Sequence, residues 1–426
     1  MNKYLLLLLL FSIGYSQASG LTLFGIGEDI RDTDPASLAM GNSKFFSGNS
    51  KHISTGSPSS LWRSALTRFT IQSGMNYLTV SSFPKQFQHN LTHFSFIFPV
   101  GDKKVIGLGI QPAFRTNRLE IKEDIKFLQA DESVTGAPIA YKSHYILDGG
   151  ISEIFLQYSQ KLTSLFSIGI EYSFLFGNQY LNDKMWTYDL KFSEDENIEE
   201  VFIQQNDNIF IYGINSDSTT IDRSHKFSGT VFTFESRYTR PHQELVCRAS
   251  VNGSTKILTE IIQSINNESF TNNFDYTESM FISDIELGYH YQYIGNAGLI
   301  IEVHKKNKLN IPEAVALFNI KPPKEHSIHL CTYYQVANPK IGFWNNLNIR
   351  GGAYLKELDF TGGKLLDYGG TLGLGIEYLG NTQSIDLALR AGKKESRILD
   401  GKYEEYISFH IGITAGEKWF MKRRRK

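Results

Sequence analysis

Apolar side chains recur at every second position through much of this chain, with small or polar residues between them. In the last such segment Ile407, Phe409, Ile411, Ile413 and Ala415 alternate with Ser408, His410, Gly412 and Thr414. In another, Phe166, Ile168, Ile170, Tyr172, Phe174 and Phe176 alternate with Ser167, Gly169, Glu171 and Ser173. Leu372, Leu374, Ile376 and Tyr378 repeat the pattern, as do Phe281, Ile285, Leu287, Tyr289 and Tyr291 against Asp284, Glu286, Gly288 and His290. A period of two puts one set on each side of a strand. Strands of about ten residues with one greasy and one polar face suit a transmembrane barrel, whose backbone groups must all pair within the wall.

The pattern predicts strands near Thr67 to Val80, Asn90 to Val100, Lys104 to Arg115, Gly150 to Lys161, Ser164 to Gly177, Lys226 to Thr239 and His242 to Val251. Others fall near Ser279 to Tyr293, Ala297 to Lys305, His326 to Ala337, Trp344 to Leu355, Tyr368 to Leu379, Gln383 to Gly392 and Glu404 to Gly416. The fold class is therefore all-β, a transmembrane antiparallel β-barrel of about fourteen strands, an even number within the bacterial range. Connection lengths agree. Every second one is brief, as at Gly101-Asp102, Leu162-Thr163 and Arg240-Pro241, whereas the long ones run from Arg115 to Gly149, Asn178 to His225 and Asn252 to Glu278. Short turns belong on the periplasmic side and long loops outside. A periplasmic β-sandwich or propeller also uses alternating strands, but its outward faces are normally polar.

Residues 1–18 read as a signal peptide, with Lys3, an apolar run from Leu5 to Phe11, and Ser16, Gln17 and Ala18 at the cleavage region. No later stretch is apolar for long enough to form a membrane helix. Residues 19–66 form an N-terminal segment without strand period, 67–420 the barrel, and 421–426 a basic periplasmic tail. The formal net charge is −1 and the sole basic run is Lys422 to Lys426, which excludes the basic surface that nucleic acid requires. The two cysteines are too few for a zinc site. Strand parity puts Cys247 with Leu245 and Ala249, and Cys331 on the opposite side of the wall with His329 and Tyr333, so no disulfide is expected. No GxSxG or HExxH motif is present; an enzyme is not expected, and no cofactor or metal is implied.

The segment from Leu21 to Leu66 is rich in Gly, Ser and Asp. It reads either as a disordered arm or as a plug inside a lumen that side chains alone do not fill. Here the chain resembles the FadL-type outer-membrane transporters of long-chain fatty acids and aromatic hydrocarbons. The resemblance rests on Asp34-Pro35-Ala36-Ser37-Leu38-Ala39-Met40-Gly41-Asn42-Ser43, on Gly56-Ser57-Pro58-Ser59-Ser60-Leu61, and on the strand number. The family commonly has Asn-Pro-Ala where this chain has Ser57, Pro58 and Ser59, a departure at two of three plug-motif positions. The same architecture resembles the substrate-shuttling barrel of the type nine secretion system, and the motif does not separate transporter from shuttle.

Parity places Glu171, Arg248, Asp284, Glu286, His290, Glu302, His304, Arg350, Glu377, Asp386, Arg390 and His410 in the lumen. Charges of both signs there are expected to pair across strands and hold the plug. Arg248, Arg350 and Arg390 are the cations able to hold a ligand carboxylate through paired hydrogen bonds. Ile257, Leu258, Ile261, Ile262 and Ile265 are spaced as one face of a short helix. The FadL resemblance implies that this helix, with Ile257, Ile261 and Ile265, forms an external capture surface for an apolar ligand. Glu194, Asp195, Glu196, Glu199 and Glu200 read as a solvated exterior.

The expectation is a monomeric outer-membrane barrel, in contact with outer-membrane lipid, that passively transports hydrophobic or amphipathic small molecules of fatty-acid type. The alternatives are a barrel subunit of a protein-secretion system, with partners there, and a structural outer-membrane protein.

Overall fold

The computed structural model describes residues 27–31, 34–48, 53–80, 86–115, 119–128, 139–193, 202–206, 209–265, 268–278, 281–307, 323–336, 347–360, 363–378, 383–396 and 403–417. The predicted signal peptide, the basic tail and the acidic cluster at 194–200 lie outside them.

The strands in chain order are β1 (Glu28–Asp29), β2 (Thr67–Val80), β3 (Gln86–Gly101), β4 (Lys104–Arg115), β5 (Leu119–Leu128), β6 (Ile139–Lys161) and β7 (Phe166–Ser193). There follow β8 (Phe202–Asn206), β9 (Ile209–Arg240), β10 (Gln243–Asn252), β11 (Thr255–Ile265), β12 (Glu268–Glu278) and β13 (Phe281–Ile294). The last six are β14 (Ala297–Lys306), β15 (Lys324–Gln335), β16 (Leu347–Phe360), β17 (Gly363–Tyr378), β18 (Gln383–Ser396) and β19 (Tyr403–Glu417). Fourteen of these close a wall of antiparallel pairs: β2, β3, β4, β6, β7, β9, β10, β13 and β14 to β19. The ring shuts where β19 pairs with β2, from Glu404 opposite Val80 to Glu417 opposite Thr67. Each of the fourteen predicted strands is present.

The alternation that predicted the strands is the alternation of burial. On β14, Leu299, Ile301 and Val303 are exposed on the outer surface, while Ile300, Glu302 and His304 are buried within. Outside a membrane this arrangement would leave a continuous apolar surface in water; around a barrel it is the lipid-facing belt. Cys247 and Cys331 are both free thiols and Cys331 is buried, as their opposite parity requires.

The described parts of the three long connections are largely strand. Strands β6, β7 and β9 continue past the wall, 23, 28 and 32 residues long, against about 9 to 11 residues for a membrane crossing. Above the wall β5 pairs with β6, and β11 pairs with both β9 and β12. The helix expected around Ile257 to Ile265 is strand β11 instead. Spacings of four and eight are even numbers, so these isoleucines also share one face of a strand, and their β-branched side chains favour that outcome.

Candidate functional site

The described part of the N-terminal segment lies against the inner surface of the wall. It begins at the end of the long connections, where Glu28 and Asp29 pair with Arg115 and Phe114 of β4. It finishes at the end of the short turns, where Thr67 opens β2. Between them runs one helical turn, α1 (Pro35–Leu38), capped by Asp34, whose carboxylate accepts from the Ser37 amide at 2.9 Å and the Thr55 amide at 3.2 Å. Burial pushes the Asp34 carboxyl above its ordinary range, against the pull of those donors. A turn of 3₁₀ helix, Pro58–Arg63, follows.

Glycines in the wall make the close approach possible. Gly352 faces the backbone of Met40 and Gly41 so closely that a Cβ there would overlap it, and Gly169 faces Pro58 and Ser59 in the same way. Backbone groups of the segment bond to inward side chains: His329 Nδ1 lies 2.6 Å from the Gly41 carbonyl, Arg350 donates to the Ser47 carbonyl at 2.9 Å, and Gln157 to that of Thr55 at 3.1 Å.

Charged groups complete the contact. Glu302 accepts from the Lys44 amide at 2.8 Å, the Phe45 amide at 3.1 Å and the Ser43 hydroxyl. Lys44 Nζ reaches Glu286 at 2.5 Å. Arg237, fully buried, donates to Glu244 at 2.7 Å, Ser57 Oγ at 2.7 Å, Ser59 Oγ at 3.0 Å and the Phe45 carbonyl at 2.9 Å. The hydroxyls of Ser57 and Ser59 in turn donate to Glu235, which also binds Arg248. Four separated stretches of chain are thereby tied together by one buried set of ions.

Above this set, toward the end of the long strands, two adjoining cavities open. The first, of about 1000 Å³ counted with its mouth, has an apolar side made by Phe114, Leu175, Phe227, Val231 and Leu358. The second, about 1070 Å³, is polar. Its lining includes seven basic side chains, Arg31, Lys44, Arg115, Lys306, Lys356, Arg390 and Lys394, against four acidic ones, Glu28, Asp29, Glu325 and Asp367. Burial alone would raise the Asp29 carboxyl, but Arg31 at 2.7 Å and Lys306 at 2.8 Å hold it well below the usual range.

Of the residues singled out from sequence, Ile257 is buried with Ala113, Ile151, Leu175, Phe227 and Val231 beside the first cavity. Ile261 is half-buried and Ile265 is exposed farther out on β11. The three arginines do not converge. Arg248 holds Glu235 and Glu286, Arg350 holds Asp386 at 2.7 Å, and Arg390 lies among Tyr354, Tyr406 and Asp367. Sequence reasoning missed Glu235, Arg237 and Glu244, although all three fall at inward positions beside Phe232, Phe234 and Leu245, which face outward.

The fold defines a fourteen-stranded transmembrane barrel of the FadL-like type. It is similar to a FadL homologue of Pseudomonas aeruginosa (TM-score 0.56, 9% identity, covering 91% of this chain and 99% of that one). It is also similar to the CymD monoaromatic hydrocarbon channel (TM-score 0.52, 9% identity, 91% and 98%) and to the toluene transporter TodX of P. putida (TM-score 0.52, 10% identity, 92% and 100%). Among curated proteins no sequence matches. The chain belongs to the BamG family, whose model matches residues 2–426.

Proposed function

We propose that the protein takes a small hydrophobic or amphipathic molecule into the two external cavities and passes it inward. The carrying observation is the segregation of their walls, an apolar side in the first and a basic excess in the second. An apolar body would lie against Phe114, Phe227 and Val231, stabilised by about 25 cal/mol per Å² buried. An acidic head would point to the second cavity, since carboxylates outnumber cations in the first. Barrels of this fold include monoaromatic hydrocarbon and toluene channels, which supports the apolar part of the reading. In it the N-terminal segment serves as a plug that must shift for the molecule to pass. Ile257 supports the apolar wall, and Ile261 and Ile265 extend it outward.

The test is mass spectrometry of gently extracted protein, followed by titration with labelled oleate and with toluene. Saturable binding that Phe227→Ser weakens supports the reading. Protein that carries no apolar molecule and binds neither probe refutes it.

One observation favours a second reading, that of a shut barrel serving as a fixed subunit for protein partners. The buried ions around Arg237, Glu235 and Glu244 lock the segment across the lower lumen, where its Phe45 and Phe46 also pack against Val246, Ile300 and Tyr333 of the wall. Uptake into proteoliposomes separates the two: passage of a bound ligand supports transport, and binding without passage supports the shut barrel.

A further inference from the structure

Above the wall, β5, β6, β7, β9, β11 and β12 form an external sheet with two long edges, and these edges differ in kind. An exposed strand edge is a template for pairing with another chain, and proteins normally blunt it with lysines, proline, a bulge or a cover. The β5 edge follows that rule: its pairing with β6 slips between Glu123 and Lys126, and its sequence holds two lysines. The β12 edge does not. Its eleven residues, Glu268 to Glu278, contain no proline, glycine, lysine or arginine. They pair with β11 in unbroken register and, among the described residues, with nothing else. The cause is geometric, because β14 ends at Lys306 beside Asp284 and, among the described residues, no strand continues upward next to β12.

The strand is also dressed for a partner. Phe270 and Phe274, two positions of one face, are 55% and 49% exposed, and Ile265 on β11 is 40% exposed. Charge selects the occupant. The strand carries Glu268, Asp275 and Glu278 and no base; Lys256 of β11 pairs with Asp275 at 3.0 Å, and in an antiparallel second copy Glu268 and Glu278 at the two ends would bring like charges together. We propose that the β12 edge is a docking site for an extended segment of another protein, added as a further strand, with alternate apolar residues on Phe270 and Phe274 and basic residues elsewhere along it. The inference is independent of any ligand traffic through the barrel.

The full-length protein in detergent is titrated with a fluorescent peptide, Lys-Val-Thr-Val-Lys-Ile-Thr-Val-Lys, and with the same peptide carrying Glu at each Lys. Hydrogen exchange reports the site. The basic peptide is expected to bind and to protect the amides of residues 268–278. Replacing its lysines by glutamate, or combining Phe270→Ser with Phe274→Ser, is expected to weaken binding by about tenfold or more. Asn273→Lys, a gatekeeper charge at an exposed position, should do the same without disturbing the fold. Equal binding of both peptides, unaltered binding by the serine variant, or protection elsewhere overturns the proposal. So does concentration-dependent self-association that protects β12 with no peptide present, which would make a second copy the occupant.

Discussion

Replacing Arg237 with Met tests whether ions or close packing hold the N-terminal segment. The guanidinium is fully buried, bonds to four groups at 2.7 to 3.0 Å and lies 4.9 Å from the centre of the Phe46 ring. Three of the four acceptors, Ser57, Ser59 and Phe45, belong to the segment, so the bonds are lost on its detachment from the wall. Methionine fills much of the space but removes the cation nearest Glu244, leaving it with Arg63 at 2.9 Å and the His290 ring at 3.9 Å. Breaking a buried pair from one side costs about 3–5 kcal/mol, which corresponds to roughly 100- to 5000-fold in the opening equilibrium. Hydrogen exchange of the amides at 43–48 and 53–61 measures that opening directly. Arg237→Lys should fall between the two, because one point charge cannot span four acceptors. If the methionine variant exchanges these amides at the native rate, the segment is held by packing and the ionic lock is refuted.

Gly352→Val should also loosen the segment, by about 1–3 kcal/mol of overpacking against the Gly41 backbone, read as faster exchange at 38–42 in an intact barrel. Ile257→Ala should lower stability by about 2–5 kcal/mol and Ile265→Ala by at most about 0.5 kcal/mol, a contrast visible in thermal unfolding and opposite to equal roles for the two. Glu28 and Asp29 titrate lower in the fold than when unfolded, Glu28 beside Lys394 at 2.7 Å and Asp29 beside Arg31 and Lys306. Their contribution is therefore full above about pH 4 to 5 and lost as pH falls through the depressed values. Asp34 acts oppositely, its raised carboxyl favouring the neutral form, so its own contribution declines as pH rises through the folded value. Limited proteolysis should accordingly release the start of the segment on strong acidification; cleavage unchanged between pH 7 and pH 3 would refute the ionic anchoring of β1.

How much of this was legible depended on whether the information is local. Parity alone put Glu302, His304, Arg350 and His410 inside, because a strand in a wall has only two sides. It could not say what they would meet: Arg237 finds Ser59 and Ser57 from 178 and 180 residues away, and no local pattern encodes such a distance. The isoleucines of β11 show a different limit. Positions 257, 261 and 265 satisfy a period of two and nearly satisfy 3.6, so hydrophobic spacing by itself left the element undecided. The unbroken pairing with β9 and β12 decided it. The cavities were invisible for the first reason, since Phe114, Phe227 and Leu358 come together only when the wall closes.

The path of the N-terminal segment constrains the order in which the molecule can be built. Residues 28–29 sit at one mouth of the lumen and residue 67 at the other, so this stretch threads the full height of the ring. The ring is sealed by β19, the last strand in order among the described residues, and so made after all the others on the ribosome. A barrel sealed first would have to be threaded lengthwise past Arg237 and Glu235, with every ion bare while it happened. The wall must instead fold round a segment already in place, with the seam between β19 and β2 made last, and a chain lacking β19 would leave that segment lying in an open trough.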